Sequence, residues 1–288
     1  MEENKTVMKA RLNQPIVGCS LDIDDLKKLS KILQERSNTA LKYELEKLDR
    51  LKGDVSNKEA AKKDAEEAFI LRYSIKGDKG QELFGLFDEV FSSPNYPDKV
   101  VSFYVNSANT LKARYNYTPQ NSFTVHLDFS KPKIFDLSIF PSHPTPNDSF
   151  FEVEGYDVSW VNGVYSEIDQ FLKERMQPLG VVHKHSIYDL LLWVVGYPIA
   201  FWGCYKASNM VESIFGDFSS FLKNALYLYV GLFCLVSFRV LYHYARWVFP
   251  KIEYKSSLNK NLKHQLFLGA LSLSVISVFI VDIIRSVF

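Results

Sequence analysis

Residues 225–249 read ALYLYVGLFCLVSFRVLYHYARWVF. Arg239 and Arg246 carry the only charges in this stretch. A helix crosses the hydrocarbon core of a bilayer in about 20 residues, so the segment is long enough to span one. Two other stretches share its character. Ile187–Tyr205 is charged only at Asp189, and Leu266–Phe288 only at Asp282 and Arg285. Gly196 and Pro198 fall inside the first of these, where a membrane helix kinks rather than ends. The expectation is an all-α bundle of two or three helices, spanning about 187–205, 225–249 and 266–288. In a two-span version the first stretch lies at the interface or is re-entrant.

The flanks set the orientation. Lys251, Lys255, Lys260 and Lys263 follow the middle stretch, and Lys173, Arg175 and Lys184 precede the first. The 206–224 segment offsets Lys206 and Lys223 with Glu212 and Asp217. Basic flanks stay cytoplasmic. The N-terminal portion and the 250–265 loop are therefore expected in the cytoplasm, with the 206–224 loop and the C-terminus outside. Met1–Lys5 lacks the apolar core of a secretory signal.

Several polar residues lie within or beside these stretches. Arg239, His243 and Arg246 recur at i, i+4 and i+7 and share a helix face. Arg239, about 15 Å along the axis from Phe249, lines a pore or meets a partner helix, or else snorkels to the headgroups. Arg246 is close enough to the end to snorkel. Asp282 and Arg285 are spaced to pair with each other near the outer interface. Ala270, Ser274 and Ser277 form a small-residue stripe suited to close helix packing or to a water-filled path. His183, Lys184 and His185 read as a juxtamembrane basic anchor, able to meet lipid headgroups or respond to pH.

The preceding residues read as a soluble α+β domain, an antiparallel sheet with flanking helices. Residues 1–68 hold a long amphipathic helix, Leu21–Leu51. Its leucines at 26, 29, 33, 41, 45 and 48 recur at helical spacing. Asp22 is its expected N-cap, and Ser56 with Glu59 forms a capping box for a second helix. Residues 69–177 turn to alternation, which predicts strands at 69–75, 81–86, 100–105, 111–117 and 123–129. Gly77–Gly80 closes a hairpin between the first two. An amphipathic helix over 158–176 leads through a linker at 178–185 into the bundle at 186–288.

No sequence feature identifies a catalyst. There is no GxGxxG, P-loop, GxSxG or HExxH motif. The three cysteines, Cys19, Cys204 and Cys234, form no CxxC pair. Neither a catalytic residue nor a cofactor or metal ligand is assigned. His126 and Asp128 would share a strand face, as polar residues on an outer face do. The formal net charge of +1 over 288 residues gives no bulk drive toward nucleic acid. Tyr104, Tyr115, Tyr117, Phe123 and Phe129 alternate with Lys112, Arg114 and His126. That pattern puts the aromatics in the core, or leaves a basic–aromatic sheet that binds single-stranded nucleic acid or a nucleotide.

In layout the chain resembles membrane effectors (toxins) of bacterial anti-phage defence systems, including those attached to retrons. The resemblance runs over the whole chain: a charged helical start, an α+β middle and short C-terminal spans. It implies a multi-pass protein of the bacterial inner membrane whose cytosolic domain restrains a membrane-perturbing bundle. It also implies a homo-oligomer in the lipid bilayer and a partner such as a reverse transcriptase with its RNA–DNA product. The other readings are a quiet anchor that recruits a cytosolic partner, and a membrane-bound enzyme.

Overall fold

A computed structural model describes residues 8–50, 55–134, 145, 147–176, 182–256 and 261–287. It divides into two compact units. One comprises Met1–Ser130, Asn147–Gln177 and Ile252–Asn259; the other comprises Lys131–Pro146, Pro178–Lys251 and Lys260–Phe288.

The first unit is built on helix α1 (Ile23–Arg50) and a six-stranded sheet. Asp22 caps α1 as expected, its Oδ1 accepting from the Asp25 N–H at 2.8 Å. The cap is tied to the far end of the unit, because Arg175 Nε donates to Asp25 Oδ1 at 2.8 Å. Burial opposes ionisation of Asp25, but the Arg175 guanidinium and the Asp22 N–H outweigh it and hold the carboxyl below its usual range. Leu26, Leu29 and Leu33 are fully buried, and the seam then continues through Ser37, Ala40 and Glu44 rather than through the later leucines. Ser37 spends its hydroxyl on the Phe69 carbonyl at 2.6 Å. A second helix, α2, covers Val55–Ala68. Gly53 and Asp54, between the two expected helices, lie outside the described residues, as do most of the 132–146 segment and the 178–181 part of the linker.

The strands of the sheet are β1 (Ala10–Pro15), β3 (Tyr73–Gly77), β4 (Glu82–Gly85), β5 (Val100–Asn106), β6 (Asn121–Asp128) and β7 (Phe150–Gly155). They run β1-β7-β6-β5-β3-β4, every neighbour antiparallel. The order is not a meander. Helix α3 (Phe87–Phe91) follows the edge strand β4, and β5 then pairs on the other side of β3. Tyr73, Ile75, Phe103, Val105, Phe123, Val125, Leu127, Phe151 and Val153 form the buried face. Helix α5 (Val158–Lys173) joins α1 in the same core through Val161, Val164 and Ile168. Asp157 caps α5, and Trp160 Nε1 reaches Thr39 Oγ1 on α1 at 3.1 Å.

Two corrections concern this unit. The expected strand at 111–117 is helix α4 (Asn109–Tyr115), which ends on Asn116 in the left-handed region at φ 49°. Asn106 Oδ1 accepts from the Ala108 N–H at 2.8 Å and turns the chain out of β5 before the helix starts. The second correction concerns residues 252–259, expected in a loop of the bundle. Ile252–Tyr254 is strand β8, which pairs in parallel with β2 (Cys19–Leu21) and belongs to the first unit.

The second unit is helical. Helix α6 (His185–Leu191) runs through a π-helical turn, Leu192–Gly196, into α7 (Tyr197–Phe215). The kink expected at Gly196 and Pro198 takes this form. Pro198 has no N–H to donate, and the Tyr197 N–H bonds five residues back to the Leu192 carbonyl. α7 runs past Tyr205, so the loop expected at 206–224 shrinks to the turn before α8 (Ser220–Val248). α7 and α8 pack through small residues. A Cβ added at Gly203 would lie 2.7 Å from Cys234 Sγ, and Cys204 Sγ contacts the Tyr227 carbonyl at 3.4 Å. Helix α9 covers Asn261–Val287. It meets α8 where Tyr244 OH and His264 Nδ1 lie 2.8 Å apart.

Ser186–Phe215 and Ser220–Val248 are long and apolar enough to cross a membrane, and only 17 % and 11 % of their most apolar windows are buried. Phe201, Phe221 and Phe233 are 72 %, 80 % and 73 % exposed.

Candidate functional site

The first unit carries a concave site at one end of the sheet. Arg72 and Asn106 precede and follow paired positions, Tyr73 and Val105, and so stand side by side on the face opposite the core. Phe84 of β4 pairs with Ser74 on that same face and is 66 % exposed. Because the chain becomes helical after β5, α4 brings Asn109, Lys112 and Arg114 over these residues. The groove so formed has a volume of about 680 Å³. Arg72, Lys112 and Arg114 line it, and no acid does. Glu67 stands at its edge, bonded to Arg114 Nη1 at 3.0 Å. That bond, with Arg72 nearby, holds the Glu67 carboxyl below its usual range.

The open face continues from the groove across the sheet. Asn106 Nδ2 donates to Thr124 Oγ1 at 2.9 Å. Tyr104, His126 and Phe150 form a row with ring centroids 6.0 Å apart. His126 shares this face with Asp128, as expected, but its ring nitrogens lie 3.2 Å from Ser102 Oγ and 3.0 Å from the Asp148 carbonyl. The aromatic alternation is thus resolved residue by residue. Phe123 and Phe129 are core, Tyr104 lies on the open face, and Tyr115, Tyr117, Lys112 and Arg114 are not on a strand.

On the other side of α4, a smaller cavity of about 370 Å³ opens toward α1 and α2. Glu44, 5 % exposed, accepts from Tyr117 OH at 2.7 Å and from the Gln120 N–H. Lys47 Nζ donates to the same phenol at 3.0 Å. Nothing in the leucine pattern of α1 marks Glu44 as buried.

In the second unit the polar face of α8 turns inward. Arg239, His243 and Arg246 are 7 %, 5 % and 1 % exposed. The Arg239 guanidinium lies 5.7 Å from the Tyr188 ring centroid and that of Arg246 lies 4.8 Å from the Tyr242 ring. Arg246 Nε and Tyr242 OH both donate to the Val182 carbonyl, at 3.1 and 2.6 Å. Arg246 does not snorkel. It anchors α8 to the turn before α6.

His183 sits beside it, 2 % exposed, with Nδ1 2.9 Å from Thr145 Oγ1 and Nε2 facing the Phe249 carbonyl. A carbonyl only accepts, so Nε2 carries the proton and Nδ1 accepts from Thr145, as a neutral ring requires. Burial, with Arg246 and Lys251 nearby, depresses the His183 pKa to about 4. His183 is therefore no headgroup anchor, although Lys184 is exposed as one would be. His185 is the first residue of α6, and its side chain lies outside the description. Unfolded, His183 would bind a proton below about pH 6.5, where the native ring stays neutral. Stability of the second unit should therefore fall as pH drops from about 6.5 to about 4, by up to about 3 kcal/mol. Melting temperatures of the wild type and His183→Gln across that window check this. The variant's curve should be flatter.

Asp282 of α9 pairs with Lys206 of α7 at 2.7 Å rather than with Arg285, which is exposed. Lys206→Leu and Asp282→Leu singly should lower the melting temperature in nanodiscs more than the two together. An additive double variant would contradict the pair. Ser274 and Ser277 are exposed and bond back to the Ala270 and Leu273 carbonyls at 2.8 and 2.7 Å. Their stripe points away from α7 and α8 with its polar groups already satisfied. Among the described residues no three His, Cys, Asp or Glu side chains are grouped to hold a metal ion. Comparison with protein-family models, curated proteins and solved structures finds no match.

Proposed function

We propose that the chain is an integral membrane effector in which a cytosolic α+β unit senses a partner and controls a membrane-perturbing bundle. One observation carries this: the α7–α8 pair turns its apolar side chains outward, with 17 % and 11 % of the richest windows buried. A core helix of a soluble protein has the opposite profile, and such an exterior is stable in lipid. The path of the chain supports the orientation. Two crossings return it to β8, a strand of the soluble unit, before α9 leaves again. The soluble unit and the 250–260 segment then share the basic, cytoplasmic side.

β8 also supports control. It lies between α8 and α9 in sequence yet pairs with β2, so the chain of both helices runs into the α+β unit. The exposed serine stripe of α9 fits assembly with further copies in the bilayer. The trigger would come from a cytosolic or nucleoprotein partner, of which a reverse transcriptase with its RNA–DNA product is one form. A growth assay in bacteria tests the effector reading. Induction should arrest growth, and Ser274→Leu with Ser277→Leu should relieve the arrest at equal membrane abundance. An anchor that merely recruits a partner leaves growth normal in both cases.

A further inference from the structure

We propose that the groove between α4 and the open end of the sheet binds single-stranded nucleic acid, with phosphates on Arg72, Lys112 and Arg114 and a base on Phe84. As the trigger of the bundle this rests on the function proposed above. As a binding site it does not.

Four observations converge. The groove, at about 680 Å³, falls within the range of about 300–1,000 Å³ typical of ligand sites. Its three cations come from two elements, the residue before β3 and helix α4, so they bracket a space rather than coat a surface. Phe84 is 66 % exposed on a sheet face beside these cations, where a base can stack. Asn109 supplies an amide group of the kind that reads base edges in unpaired strands.

The groove also has a built-in competitor. Glu67 holds Arg114 at 3.0 Å, and a phosphate would displace it. Lys112 has Glu154 in its neighbourhood, but that carboxylate is engaged by Lys9 at 2.9 Å and Ser122 at 3.1 Å. The bulk charge of +1 gave no hint of such a site, because the charge is local.

The test uses the full chain in phosphatidylcholine nanodiscs and fluorescence anisotropy of labelled 12-nucleotide RNA and DNA strands. Saturable binding is expected, weaker for the matching duplex. Arg72→Gln with Lys112→Gln should weaken it by about tenfold or more and flatten the salt dependence by about 1.4 in log–log slope, roughly 0.7 for each phosphate no longer neutralised. Phe84→Ala should cost on the order of tenfold. Glu67→Gln should tighten binding. Lys28→Gln with Lys31→Gln, the same charge change on exposed positions of α1, should stay within about twofold. Absence of saturable binding overturns the proposal, and so does an equal weakening in the α1 control. It is also overturned if Phe84→Ala is silent while inorganic polyphosphate or phosphatidylglycerol vesicles displace the strand fully. The groove would then hold phosphate groups alone.

Discussion

Ile252→Asp should destabilise the first unit by roughly 4 kcal/mol or more, although the residue lies between two apolar helices. Ile252 is 1 % exposed in β8, beside Cys19 of β2. Tyr254, two residues on, packs edge-to-face on Phe129 with centroids 5.7 Å apart. A carboxylate at 252 would enter the core formed by α1, α5 and the sheet, and Arg175, the cation near Cys19, is already bonded to Asp25. Thermal unfolding followed by the near-ultraviolet signal of Trp160, the tryptophan of that core, checks this. Lys255→Asp, three residues away and exposed, should be close to neutral. If Ile252→Asp were equally silent, 252–254 would be a bundle loop and β8 could not exert the control attributed to it.

Arg246→Ala should cost the second unit about 3 kcal/mol, the sum of a lost charge-assisted hydrogen bond and a lost cation–π contact in a buried setting. The side chain is 1 % exposed, bonds the Val182 carbonyl and covers the Tyr242 ring. Its removal would free the turn before α6 from α8. Limited proteolysis in nanodiscs should then cut near residue 182 at a protease level that leaves the wild type whole. Arg246→Lys should sit between the two, because an ammonium keeps the charge but not the planar stacking. A snorkelling arginine would tolerate both changes.

The sequence displayed the long apolar helices plainly, since each is a continuous run longer than a core helix needs. The hairpin β3–β4 and the helices α1 and α5 were also legible, because turn residues and helical spacing coincide there. Strands β1 and β7 were not read, although Phe151 and Val153 alternate with Glu152 and Glu154 as an edge-near strand should. β8 has three residues between lysines and carries no periodic signal at all. α4 was misread because Leu111, Ala113, Tyr115 and Tyr117 alternate with polar residues by chance. Asn106 and Asn116, which start and stop that helix, were the better guide.

The groove was half legible. Lys112 and Arg114 were singled out, but as strand residues opposite a core. Arg72 and Phe84 join them only through the pairing of β3, β4 and β5, which no local pattern encodes. The polar face of α8 was read correctly as one face. Its inward direction depends on Tyr188 and Val182, 51 and 64 residues away from Arg239 and Arg246 in sequence, and those contacts are tertiary.

Membrane potential, followed with a voltage-sensitive dye in bacteria under tight induction, tests the central claim most directly. The comparison is the full chain against a chain carrying Leu228→Asp, Leu232→Asp and Phe233→Asp. These exposed positions on α8 then resist insertion while every residue of the first unit stays unchanged. A chain ending at Gln177 is no substitute, because it lacks β8. Rapid depolarisation by the full chain, absent in the triple variant, is the predicted result. A steady potential with the full chain abundant in the membrane, both before and after phage challenge, would contradict it.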